Sequence, residues 1–157
     1  MITLLRVVHL LSASVWVGGT VALVFVGVPA IRALEGEARA TAMRTLGRRW
    51  RPIGWSSMAV AILSGLWLTE LHGGLNRQAL DTDFDRTLIL KSALVVALVI
   101  AALAHDFVLG PRLLRLTRAS SPEAPAARRR LVVVGWISFA LTIAVPILGV
   151  VALGYVD

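Results

Sequence analysis

Nitrogen donors are scarce in this chain, and their placement defines the chemistry on offer. It has three histidines, His9, His72 and His105, and Lys91 is its only lysine beside fifteen arginines. There is no cysteine, so disulfides, thiolate metal sites and a cysteine nucleophile are excluded. His9 lies in the charge-free run 7–31, and Lys91 is the only charged residue of 87–105. A neutral imidazole is a common metal ligand, and a lipid-buried lysine is driven toward the neutral amine that can act as a second one. Such a pair suits an iron porphyrin between helices. Each residue also has a plainer reading: Lys91 can snorkel to an interface, and His9 can make an interhelical hydrogen bond to Ser or Thr.

The elements that must position these groups are membrane spans. The 157 residues are 57% apolar and 16% charged, with mean hydropathy +0.80, which points to an integral membrane protein and away from a soluble nucleic-acid-binding domain despite the net charge of +7. Runs 7–31, 52–69 and 131–156 carry no charge, and 87–105 carries only Lys91. A span needs about 20 apolar residues. The expectation is therefore an all-α, four-helix membrane bundle in a single domain, with helices near 2–31, 52–71, 85–109 and 131–155. A cleaved signal peptide fits the first run less well, because 25 uncharged residues exceed a usual signal core. Pro29 and Pro111 are expected to close helices, Pro52 to open one and Pro146 to kink the last. No internal repeat is evident.

Twelve of the sixteen basic residues fall in two loops, Arg32 to Arg51 and Arg112 to Arg130. The positive-inside rule makes those loops cytoplasmic and places both termini outside, in the cell's inner (plasma) membrane. The first and third helices then run in the same direction. His9 and Lys91 lie at depths about 3 Å apart, counted from Arg6 and Arg86. His105 is about 21 Å further along the Lys91 face, and its neighbour Asp106 makes a structural ion pair the plain reading, with a second metal site as the alternative. His72, before Gly73 and Gly74, falls near the outer rim and reads most simply as a loop histidine. Ser12, Ala13, Trp16 and Thr20 continue the His9 stripe, bordered by Gly18 and Gly19, while Ser57, Ala61 and Gly65 repeat a small-residue spacing.

These residues carry a family resemblance. His9-Leu-Leu-Ser-Ala-Ser-Val-Trp16-Val-Gly-Gly19, Arg48-Arg-Trp with Ser64-Gly65, and Asp85-Arg-Thr-Leu-Ile-Leu-Lys91 leading to Gly110-Pro111-Arg112 resemble the CopD copper-resistance membrane domain and, more distantly, HemJ-type protoporphyrinogen oxidases. The resemblance implies copper handling or, through the HemJ-like relatives, b-type heme held by His9 and Lys91. The tyrosine and proline-arginine pattern of the HemJ-like first helix is missing, so heme binding carries over more safely than porphyrinogen oxidation.

Three functions follow as expectations. The first is a heme-b protein, a membrane oxidoreductase or electron carrier at the outer leaflet, with a quinone or a redox protein as partner and Trp16, Ser12 and Ala13 lining the site. The second is copper transport or delivery through His9, His72 and His105. Cu(I) prefers sulfur, and only Met1, Met43 and Met58 supply it. The third is a structural or assembly subunit. A homodimer sharing one site fits the sequence equally. Acyl transfer has little support, because no serine, histidine and carboxylate stand at a triad-like spacing.

Overall fold

The computed structural model describes residues 1–71 and 83–153, and no strand occurs among them. Four helices are long and apolar enough to cross a membrane. They are α1 (Ile2–Arg32), α2 (Gly36–Leu71), α3 (residues 83–118) and α4 (Ala124–Leu153). The chain divides into two compact units, Met1–Arg77 and Gln78–Asp157. The first is the hairpin of α1 and α2, the second that of α3 and α4.

Helix ends differ from the expected ones wherever arginine is dense. α2 begins at Gly36 rather than at Pro52, α3 continues to Arg118 rather than 109, and α4 starts at Ala124 rather than 131. Charge ends an apolar run without ending a helix, and arginine is a good helix former. Pro52 accordingly sits inside α2 instead of opening it. The Arg48 carbonyl that it leaves without a helical donor belongs to an exposed stretch, where water can serve it.

Pro29 and Pro111 do not close their helices either. Each follows a π-helical turn, Leu23–Gly27 in α1 and Ala104–Leu109 in α3. There the Val28 N–H donates to the Leu23 carbonyl and the Gly110 N–H to the His105 carbonyl, bonds that span five residues. Widening the turn gives room to a proline ring that would otherwise press on the carbonyl four residues earlier. The reversal after α1 uses Gly36 at φ +50, and the one after α3 uses Ser120 at φ 49. Pro146 lies within α4, as expected.

Both hairpins close by seating a large side chain of one helix on a glycine of the other. In the first, Trp50 packs on Gly19, Trp16 on Gly54, His9 on Gly65 and Leu46 on Gly27. The Trp16 and Trp50 rings stack at 6.4 Å, and Met58 is buried at 5% exposure. In the second, Lys91 faces Gly149 and His105 faces Gly135. Fourteen residues separate the members of each set, and the buried Leu98 and Thr142 fall midway in both helices. The hairpins share a plan that the sequence conceals: His9 and Lys91 each lie twenty residues before a proline preceded by a π turn, and each meets a glycine.

Candidate functional site

His9 is held by α2 through one ring nitrogen. Its Nδ1 lies 2.8 Å from the Ala61 carbonyl oxygen and 3.1 Å from Ser64 Oγ. A carbonyl only accepts, so Nδ1 carries the hydrogen. The Ser64 hydroxyl donates to the Val60 carbonyl at 2.6 Å, so its oxygen is turned toward His9 as a second acceptor. In the neutral ring the lone pair is then on Nε2. This is the interhelical bond that the plainer reading expected, and it is equally the arrangement by which a backbone carbonyl fixes the tautomer of a metal-binding imidazole. Gly65 makes the fit possible, because a Cβ there would stand 3.0 Å from His9 Cε1.

The rest of the helix 1 stripe is divided in its roles. Trp16 packs into the hairpin, and its buried indole Nε1–H finds no acceptor among the described residues. Ser12 and Thr20 donate to their own helix, to Val8 at 2.6 Å and Trp16 at 2.8 Å. Among the described residues no other helix comes within 4 Å of a Cβ position at Gly18, and Ala13 is half-buried. Ser12 borders a shallow groove of ≈260 Å³ with Leu11, Val15, Ser56, Ser57 and Val60. Sequence reasoning gave Ser64 no role; its signal was the spacing of Ala61, Ser64 and Gly65, which shares one helix face at steps of three and four.

Lys91 belongs to the second hairpin, where its Nζ stands 3.0 Å from the position of a Gly149 Cβ. Only the end of a flexible stem is involved. A Gly149→Ala variant is therefore expected to keep or raise the thermal midpoint in detergent, since alanine regains about 1 kcal/mol of helix propensity while the lysine swings aside. His105 Nδ1 donates to Asp106 Oδ1 at 2.9 Å, and its Nε2 lies 3.3 Å from a Gly135 Cβ position. That matches the structural pair. Among the described residues no three His, Asp or Glu side chains gather to hold a metal ion. His72 lies outside the described residues.

The sequence matches the family model of copper resistance protein D over residues 44–153. That interval takes in most of α2 and all of α3 and α4, Lys91 and His105 included, and leaves out His9. No curated protein and no solved structure matches the chain. With 110 of 157 residues matched and four helices fit to cross a bilayer, the chain belongs to the copper resistance protein D family and is a multi-pass inner-membrane protein.

Proposed function

We propose that this membrane protein of a copper-resistance family binds b-type heme, which His9 would hold through Nε2. The observation that carries the reading is the Nδ1–H bond to the Ala61 carbonyl, at 2.8 Å, which orients the ring and places the lone pair on Nε2. The donor set also fits. A bare ion in a resident site asks the protein for about three or four ligands, and no such group is present among the described residues. A porphyrin brings four nitrogens of its own and asks the chain for one or two. Trp16, two helical turns from His9, supports the reading as well, since its buried donor lacks a partner among the described residues and a bound acceptor would remove a cost of about 1–3 kcal/mol.

When bound, the group supplies one-electron transfer, toward a quinone or a redox protein. The chain contributes the oriented imidazole, the small residue Gly65 beside it and an apolar surround that limits water. Lys91 enters as the second nitrogen implied by the resemblance. The orientation of the termini, outward by the distribution of arginine, is part of the same reading.

Copper as transported cargo is the second reading, and the family match favours it. Optical spectra of the purified protein, oxidised and then reduced, with and without added hemin, separate the two. The heme reading expects a Soret band that shifts on reduction. A protein that stays colourless with hemin yet carries copper into vesicles, and stops doing so on His9→Ala, overturns it in favour of copper.

A further inference from the structure

A cavity of ≈250 Å³ lies between the end of α3 and the start of α4, where the second hairpin turns back on itself. Leu109, Arg112 and Leu116 line it from α3 at steps of three and four, and Glu123, Ala127 and Arg130 close it from the other side at similar steps. One water needs only about 10–15 Å³, so the space has room for a larger group.

The charges in its wall say what kind of group. They are two guanidinium groups and one carboxylate, which leaves the cavity positive. Arg112 reaches Glu123 at 3.5 Å, with the two side chains 49% and 66% exposed. A pair so open to solvent is weakly held, and a stronger acceptor can displace the carboxylate. Arg130 pairs with no carboxylate among the described residues. Two guanidinium groups that line one cavity from different helices make a fork for phosphate, whose oxygens accept paired N–H donors.

The cavity's depth says where the phosphate comes from. The uncharged run 131–156 starts directly after Arg130, and the run 87–105 stops four residues short of Leu109. The cavity therefore sits where hydrocarbon gives way to headgroups. On the bilayer side, Val108 stands four residues before Arg112 and Val133 three after Arg130, each on the face of its arginine, and they are 59% and 50% exposed. Those surfaces suit acyl chains, and Leu109, Leu116 and Ala127 make the wall itself partly apolar. A free phosphate gains nothing from either feature. A phospholipid gains from both.

We propose that this cavity binds the phosphate of an anionic phospholipid between Arg112 and Arg130, with the acyl chains lying over Val108 and Val133 and Glu123 giving up Arg112 as the lipid enters. The surplus positive charge favours a lipid with a net negative headgroup over one whose headgroup is neutral.

The test takes the full chain, stripped of lipid in a non-ionic detergent, and follows its titration with phosphatidylglycerol or phosphatidylcholine by native mass spectrometry. Wild type is expected to bind phosphatidylglycerol in preference to phosphatidylcholine. Arg112→Gln and Arg130→Gln are each expected to weaken phosphatidylglycerol about fivefold, the worth of one basic side chain at a membrane surface. Glu123→Gln is expected to tighten it, because the carboxylate no longer competes for Arg112, and a damaged fold would not bind better. Arg129→Gln, outside the cavity wall, is expected to leave the affinity unchanged. Equal binding of the two lipids, or weaker binding in Glu123→Gln, overturns the proposal. So does a loss in Arg129→Gln as large as that in Arg130→Gln, which would mean diffuse attraction to the arginine-rich turn. Displacement of the lipid by an equimolar amount of inorganic phosphate also overturns it, since the occupant would then be a free anion. Neither heme nor copper enters any of these outcomes.

Discussion

A His9→Ala variant is expected to lose the Soret absorbance while keeping its helical circular dichroism. The loss is complete because the substitution removes the donor atom itself, whereas the backbone it leaves behind stays satisfied. The Ala61 carbonyl keeps its helical donor, the Gly65 N–H, and the Ser64 hydroxyl keeps its bond to Val60 at 2.6 Å. Exogenous imidazole should restore part of the spectrum by entering the space vacated beside Gly65, a rescue that a merely misfolded protein would not show. Ser64→Ala makes the graded comparison. The Ala61 acceptor at 2.8 Å remains, so the ring keeps its tautomer and loses only its second partner. Heme affinity should then fall by about tenfold, the lower range for loss of an outer partner of a ligand. Equal spectra in wild type and His9→Ala would remove His9 from the coordination.

How far this arrangement can be read without coordinates depends on which force sets each feature. The four spans are legible because the bilayer demands long apolar runs, and those runs carry through into helices at every described position. The helix ends are not, since a membrane boundary at Pro52 or Arg112 is no boundary for backbone hydrogen bonding. Pro29 and Pro111 mislead for a related reason: proline requires relief for one carbonyl, and a π turn provides it without ending the helix. His9 and Lys91 stand out as costly polar groups, but the partner of His9 does not. Ala61 contributes through its carbonyl, an atom every residue has, and only the fold selects it. The glycines were visible as small residues, yet what each one receives depends on register. Gly65 takes an imidazole, Gly149 the tip of a lysine and Gly135 a second imidazole. The kinship of the two hairpins is hidden by the same cause, because His9 and Lys91 share a place and not a residue type.

Gly19→Ala is expected to destabilise the first hairpin, against the direction that helix propensity gives. In an unconstrained helix the change gains about 1 kcal/mol. At this position the added Cβ would run into the six-membered ring of Trp50. That ring has nowhere to retreat: its pyrrole side lies 3.1 Å from a Gly54 Cβ position, and the Trp16 ring stacks on it at 6.4 Å between centroids. Unlike the tip of Lys91 beside Gly149, an indole moves as a rigid plate, so relief requires the helices to part. Overpacking of this kind costs about 1–3 kcal/mol, more than propensity returns. The thermal midpoint in detergent should therefore drop, and Gly19→Val should drop it further. Trp50→Leu alone should also destabilise, through lost stacking and burial. Combined with Gly19→Ala it should recover part of the loss, because the smaller side chain admits the new methyl; the coupling between the two sites is then favourable in the double-mutant cycle. Strictly additive losses would mean that the Trp50 ring does not rest on Gly19, and the register joining α1 to α2, and with it the seat of His9 on Gly65, would have to be redrawn.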